Sequence, residues 1–428
     1  TMDFIRSFRP DPEYQEALMD MGNYYFNVGE YAKSLEFYNE VPTLGMPKST
    51  LTQMRFRQGY SNFALKEFNL AKSFFRDVIA EADGDYYAPS NYYMGLSSFF
   101  EQDYAQAASS LQIVENNPTY RPYIPFYLTQ ILFAQKKYQD VIAYAEPKAN
   151  DKGIRDLKEI QQLVGQSYFE LGNYQRALPY LEYYQENSKK LREEELYQIG
   201  YTQYQTGNFQ KAIQTLRPLS GAESPIGQNA MFYLADCYLK VGQKNNALNA
   251  LAAAKRLNFD PLIKEEASFN YAKLAYELNQ PREAVATLQD FAPNSRYYQD
   301  AQRLLAVVLL NYRDYQQSLE IINDVRRRNG GGLPPQMQAT YQKVAVNRGM
   351  QLLQNNENQA AREILQKSLE NPIDLSVQAV ALFWLGDVAH REKNYQESAQ
   401  YMDRFLGLTR SISNLPEESS VATANRSE

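Results

Sequence analysis

The 428-residue chain holds one cysteine, Cys237, and one histidine, His390. A lone cysteine excludes an internal disulfide and any cysteine-based zinc site. A lone histidine excludes a multi-histidine metal site, and any histidine-dependent triad would have to use His390. No apolar run approaches the roughly 18 residues that a membrane-spanning helix needs. Basic excess is also missing: the net charge is −6, which speaks against a general nucleic-acid binder. No G-x-x-x-x-G-K-[ST] loop, G-x-G-x-x-G turn or H-E-x-x-H pair occurs in the chain. The sequence reads as non-catalytic, with no cofactor and no metal.

What is abundant is tyrosine, at 35 residues. Tyrosine is costly to bury without a partner for its hydroxyl and is favoured at interfaces. Apolar residues make up 44% and charged residues 22%, the balance of a folded chain. Acidity is concentrated early. Residues 1–150 carry 13 Lys and Arg against 18 Asp and Glu, whereas residues 301–428 carry 14 of each. Of the 35 tyrosines, 24 occur by residue 204.

A segment type recurs along the chain. It reads Gly22-x-x-Tyr25-x-x-x-Gly29-x-Tyr31-x-x-Ser34, then Gly165-x-x-Tyr168-x-x-x-Gly172-x-Tyr174-x-x-Ala177, then Gly200-x-x-Gln203-x-x-x-Gly207-x-Phe209-x-x-Ala212. Apolar residues follow at helical spacing, as in Leu35, Tyr38, Val41 and in Ile213, Leu216, Leu219. The pattern resembles the tetratricopeptide repeat, which has a small residue at position 8, Tyr at 11, Ala at 20 and Phe at 24 of about 34 residues. Aligned on position 20, the series runs Ser34, Ala71, Ala107, Val141, Ala177, Ala212, Ala247, Ala284, Ser318, Ala361 and Ser398, at spacings of 34 to 43 residues. Three positions earlier, at position 17, stand Tyr31, Phe68, Tyr104, Tyr138, Tyr174, Phe209, Lys244, Pro281, Tyr315, Asn358 and Tyr395. The resemblance implies an all-α, right-handed solenoid of about eleven helical hairpins. Small residues at positions 8 and 20 let two helices approach, and stacking buries what a lone hairpin cannot. Gly29, Gly172 and Gly207 supply the positive φ of a helix end.

The expected organisation is an extended leader over 1–11, repeats one to nine over 12–328, an inter-repeat loop over 329–341, repeats ten and eleven over 342–410, and a disordered tail or cut linker over 411–428. Asp11-Pro12 reads as an N-cap and first helical residue. Arg326-Arg327-Arg328-Asn329-Gly330-Gly331-Gly332-Leu333-Pro334-Pro335 reads as a loop with a solvated charge run, with anion cradling the alternative. The chain opens Thr1-Met2-Asp3-Phe4, which reads as an artificial or processed start.

In proteins similar to this one, positions 2, 5, 9 and 12 of each first helix line a concave groove. Here these positions are rich in aromatics: Phe56, Tyr60 and Phe63 in repeat two, Tyr92 and Phe99 in repeat three, Phe126 and Phe133 in repeat four, and Tyr197, Tyr201 and Tyr204 in repeat six. Ordered aromatics on a rigid wall suit a peptide or protein ligand, although position 12 also suits packing against the next repeat. Members that hold a peptide's terminal carboxylate pair Lys at position 5 with Asn at position 9. Asn23 occupies position 9 of repeat one, but Met19 stands at position 5, so that subtype is not expected. His390 is expected to be structural, Glu193-Glu194-Glu195 a solvated run at a helix start, where the helix dipole favours it, and Cys237 a buried small hydrophobe.

The resulting expectation is a scaffold or adaptor that binds protein or peptide partners, not nucleic acid. The Gly-Asn-Tyr and Gly-Asn-Phe turns and the Tyr, Asn and Gln richness resemble large tetratricopeptide proteins of the Gram-negative bacterial cell envelope. That resemblance implies a periplasmic or outer-membrane-associated place in an assembly or uptake system, with membrane association through another protein. A polysaccharide-binding solenoid and a cytoplasmic regulatory or assembly subunit are the alternatives.

Overall fold

The computed structural model describes residues 13–81 and 84–410. The leader expected over 1–11, the Asp11-Pro12 helix start and the tail expected over 411–428 lie outside the described residues. Among the described residues there are 22 α-helices, two short 3-10 turns and no strand. The helices follow one another as eleven pairs, each with a first helix, A, and a second helix, B. The A helices are Glu13–Asn27, Lys48–Ala64, Tyr87–Phe100, Ile124–Ala134, Leu157–Glu170, Glu193–Gln205, Pro225–Lys240, Pro261–Glu277, Tyr298–Asn311, Pro335–Gln354 and Leu375–Arg391. Every B helix opens on its position-17 residue, from Tyr31 in repeat one to Tyr395 in repeat eleven. The all-α hairpin architecture implied by the sequence is present.

The chain divides into two compact units, residues 1–207 and residues 208–428. Within each unit consecutive helices pack on one another, and A helices also touch the next A helix, as Lys48–Ala64 does with Tyr87–Phe100. The division falls in the turn of repeat six. The inter-repeat loop expected over 329–341 is shorter: it ends at Pro334, and the helix Pro335–Gln354 covers 335–341. Pro335 sits at a first helical position, where its missing N–H costs nothing. Met337 and Tyr341 are then buried with Ile322, Val325 and Val344, which fixes the early turns as helix.

Three positions hold the hairpins within each unit together. Position 20 is fully buried, at 0% exposure, in all repeats but the last, where Ser398 is 8% exposed. Where it is serine, its hydroxyl donates to the main-chain carbonyl at position 8: Ser34 to Gly22, Ser318 to Ala306 and Ser398 to Gly386, each at 2.9 Å. This satisfies a buried hydroxyl that would otherwise cost free energy. The position-8 glycines meet the position-24 side chain. A Cβ on Gly59 would lie 2.7 Å from the Phe75 ring, and one on Gly95 would lie 2.6 Å from Leu111. Both partners are completely buried, so neither can step aside.

The A–B turn has one left-handed residue at the same place in all eleven repeats. It is glycine at Gly29, Gly172, Gly207 and Gly242, and a longer residue at Lys66, Gln102, Lys136, Asn279, Arg313, Asn356 and Lys393, all with φ between 58° and 80°. The next donor closes the turn over the helix end, as Glu30 N–H does to the Tyr25 carbonyl at 2.9 Å. Seven of the eleven therefore tolerate a strained L-residue, at roughly 1–2 kcal/mol each.

These constraints separate two kinds of glycine. Gly59→Ala should lower unfolding stability by about 1–3 kcal/mol through overpacking against Phe75. Gly29→Ala, with nothing within 4 Å of the added methyl, should cost about 1–2 kcal/mol through backbone strain alone. In urea melts, replacing Phe75 by Leu should relieve the first variant and leave the second unchanged.

Candidate binding face of the A helices

The helical period places positions 2, 5, 9 and 12 on one side of each A helix. Nine of the ten aromatic residues expected to line a groove there are partly buried: Phe56, Tyr60, Phe63, Phe99, Phe126, Phe133, Tyr197, Tyr201 and Tyr204. Tyr92 is the exception and corrects the expectation. It is 9% exposed, belongs to the core cluster with Leu96, Leu111 and Ile124, and stacks on Tyr120 at 4.3 Å. It is a core ring, because the neighbouring segment around Tyr120 folds over it.

Position 12 has a recurrent structural duty. Its ring meets the position-17 ring that opens the B helix: Phe26 on Tyr31, Phe63 on Phe68, Phe99 on Tyr104, Phe133 on Tyr138 and Phe169 on Tyr174, at 5.5 to 6.3 Å. In repeats two and six the position-9 tyrosine adds a third ring from the following repeat. Tyr60 lies 5.6 Å from Phe26 and 5.7 Å from Tyr31, and Tyr201 lies 5.9 Å from Phe169 and 5.5 Å from Tyr174. Both triangles meet edge to face, the geometry that ring quadrupoles favour. Burial, then the facing Tyr60 hydroxyl, raises the Tyr31 phenol, and burial followed by Tyr201 does the same for Tyr174. These rings therefore join one repeat to the next while staying partly accessible.

Sequence reading missed position 6. Tyr93 meets Phe56, Tyr60, Phe63 and Phe75 at 5.0 to 6.3 Å, and Tyr127 meets Phe99 at 5.3 Å. Arg57 stacks on Phe26, 5.1 Å from its ring centre, and donates to Asn23. Asn23 also accepts from the Tyr38 hydroxyl at 2.7 Å. The one asparagine at a clamp position is thus already engaged in the hairpin. The missed signal was the second aromatic of the Tyr92-Tyr93 and Phe126-Tyr127 doublets.

Repeats five and six present amides and carboxylates beside these rings. Gln162 donates to Glu195 at 2.9 Å and Gln166 to Gln198 at 2.8 Å. Glu195 is 5% exposed, so it is not the solvated helix-start charge that its Glu-Glu-Glu run suggested. It accepts from the Arg192 main-chain N–H at 2.8 Å, the Arg192 guanidinium at 2.9 Å and the Tyr184 hydroxyl at 3.1 Å. Burial alone would push its carboxyl up, but the Arg192 and Tyr184 hydrogen bonds together outweigh it and hold the group below its ordinary value. Earlier in the chain, Glu146 gathers Tyr168, Tyr180 and Arg176 at 2.8 to 2.9 Å.

The remaining candidates have structural surroundings. His390 is exposed and takes the position-12 place, edge-on to Tyr395 at 5.4 Å. Cys237 is fully buried, and that burial pushes its thiol up to about 12, which suppresses the reactive thiolate. Among the described residues no group of three or more His, Cys, Asp or Glu side chains is placed to hold a metal ion. None of the described helices is long and apolar enough to cross a membrane.

Tetratricopeptide-repeat family models match residues 197–261 and 346–411, and a further one matches residues 266–295. The chain carries tetratricopeptide repeats. A TPR repeat-containing protein of Bacillus subtilis, YpiA, is 25% identical over 233 residues, covering 54% of this chain and 52% of that protein. The chain thus spans about half the length of this curated relative. Among solved structures it is similar to Naa15/Naa10 bound to HypK-THB, with a TM-score of 0.38 and 11% identity over 93% of this chain and 64% of that one. It is also similar to a tetratricopeptide repeat protein from Parabacteroides merdae, with a TM-score of 0.33 and 16% identity over 60% of this chain and 94% of that one.

Glu195 yields a pH test. Its folded value is lowered, so its stabilisation is present above the ordinary carboxylate range and is lost as pH falls through the folded value. Glu195→Gln should therefore destabilise the chain by about 1–3 kcal/mol at pH 7, and the gap from wild type should shrink below about pH 4.5. Urea midpoints measured from pH 7 to pH 3 check both parts.

Proposed function

We propose that the chain is a non-catalytic scaffold that holds a protein or peptide partner along the A-helix face of its first unit. Proteins built from tetratricopeptide repeats typically mediate protein–protein interactions, and the repeat stack offers a long preformed surface. The observation that supports the reading here is the ring row of repeat six. Tyr197, Tyr201 and Tyr204 lie on one helix side, with Tyr197 and Tyr201 stacked at 5.8 Å and partly accessible. On the same helix Glu195 and Gln198 accept from the Gln162 and Gln166 amides of the preceding A helix. Large, rigid, amphipathic rings flanked by hydrogen-bonding amides are the usual anchors of protein interfaces.

Charge adds a preference. Residues 1–207 carry 20 Lys and Arg against 27 Asp and Glu, while residues 208–428 carry 24 against 23. Cationic partners are therefore favoured by the first unit, and their association should weaken with salt. A cell-envelope placement in an assembly or uptake system belongs to this proposal as well. Its support is the Gly-Asn-Tyr and Gly-Asn-Phe turns and the Tyr, Asn and Gln richness, and cell fractionation tests it.

The test is capture of partners by the whole chain against Tyr197→Ala, Tyr201→Ala and Tyr204→Ala combined. A single aromatic anchor is worth roughly 1–3 kcal/mol, so the triple variant should weaken binding at least about tenfold while keeping its helical circular dichroism. Unchanged affinity would remove the ring row from the binding surface. Capture of glycans in place of protein would favour the polysaccharide alternative.

A further inference from the structure

The crevice between repeats nine and ten has a different chemistry from the A-helix face. It is a cleft of about 220 Å³ between the end of the helix Tyr315–Arg328, the start of Pro335–Gln354 and the end of Asn358–Ser368. Arg326 and Lys367 line it, together with the Gln338 and Asn371 amides and a single carboxylate, Glu370. The guanidinium of Arg326 is held over the Tyr341 ring, 4.4 Å from its centre. Stacking of this kind fixes the guanidinium plane and leaves its edge N–H groups available for a forked bond to an oxyanion.

The neighbouring arginines make the difference clear. Arg327 and Arg328 both pair with Asp324, at 3.3 and 2.6 Å. Among the described residues Arg326 and Lys367 are in no ion pair. A cation at a helix C-terminus complements the helix dipole, but Arg327 and Arg328 already supply that in their helix. The crevice between repeats seven and eight offers a comparison. It is lined by Lys255 and Lys264 and also by Glu265 and Asp290, so its charges balance, whereas two cations face one carboxylate between repeats nine and ten. The intervening loop is set rather than loose: Gly330 and Gly331 both take positive φ, and Gly331 N–H closes on the Arg326 carbonyl at 2.9 Å.

We propose that this crevice binds an oxyanion of phosphate-monoester size, with Arg326 as the forked donor and Lys367 as the second charge. The group could arrive as free phosphate or on a phosphorylated side chain of a partner, and the two sources separate experimentally. The whole chain, in phosphate-free buffer, is titrated calorimetrically with inorganic phosphate and with a phosphoserine peptide, its unphosphorylated form serving as control. Saturable binding of either phosphorylated probe is expected, and it names the source. Arg326→Ala should weaken it by about tenfold or more, and Arg326→Lys should fall between, because the charge stays and the fork is lost. Lys367 is exposed, so Lys367→Gln reads the site even if an Arg326 variant fails to fold, and several-fold weakening is expected. No saturation by either probe would overturn the proposal. Affinities in the Lys367→Gln and folded Arg326 variants equal to wild type would do the same. The tyrosine variants of repeat six leave this readout unchanged, so the two readings fail separately.

Discussion

The structure depends on one close approach, repeated within each unit. A small residue at position 20 of the B helix lies against position 8 of the A helix, and the position-24 side chain covers the gap. At Gly22, Gly59, Gly95, Gly165, Gly349 and Gly386 an added Cβ would collide with that side chain. The approach brings backbone against backbone, so a serine at position 20 can bond to a main-chain carbonyl twelve residues back. Tight contact gives each hairpin its dispersion energy and leaves apolar faces that only a neighbouring hairpin can cover.

Contacts between repeats are more varied than those within them. In the first unit they are largely aromatic and acidic. The triangles of Tyr60 and Tyr201 join rings across repeats one and two and repeats five and six, and Glu195 and Glu146 collect donors across adjacent repeats. In the second unit buried glutamines do similar work. Gln228 donates to the Leu257 carbonyl and accepts from Asp260, and Gln342 donates to the Asp374 carbonyl and accepts from Ile373 and Asp374. Both glutamines satisfy the exposed main chain of the turn that leads into the next repeat, which otherwise would have to find water. Much of the tyrosine excess is thus used in joining repeats, and the partly accessible edges of those same rings form the candidate binding face.

Hairpin positions were legible in the sequence because their demands are local. Position 17 opens every B helix, and glycine in the A–B turn marks a left-handed residue, although Lys66, Gln102 and Lys136 take the same conformation without that mark. The candidate face was legible only in part. Position 5 reads as groove-lining in every repeat, yet Tyr92 is core because Tyr120, 28 residues later, stacks on it. Position 6 was overlooked because helical spacing alone puts it at the margin of the face. Tyr93 and Arg57 enter the face through contacts with the preceding repeat.

Sequence by itself determined the helical pairs, their number, the turn conformation where glycine marks it and the absence of a multi-cysteine or multi-histidine site. Each of these follows from residue size, backbone preference or simple count. Tertiary structure decided which charges and rings remain available. Three consecutive arginines look alike in the chain, but a single carboxylate, Asp324, binds Arg327 and Arg328, while Arg326 stacks on Tyr341 at the mouth of a crevice. Likewise Glu193, Glu194 and Glu195 read as one solvated run, and only the third is turned inward to meet Gln162 and Tyr184. The reason is geometric: successive helical residues point about 100° apart, so neighbours in sequence face different surroundings.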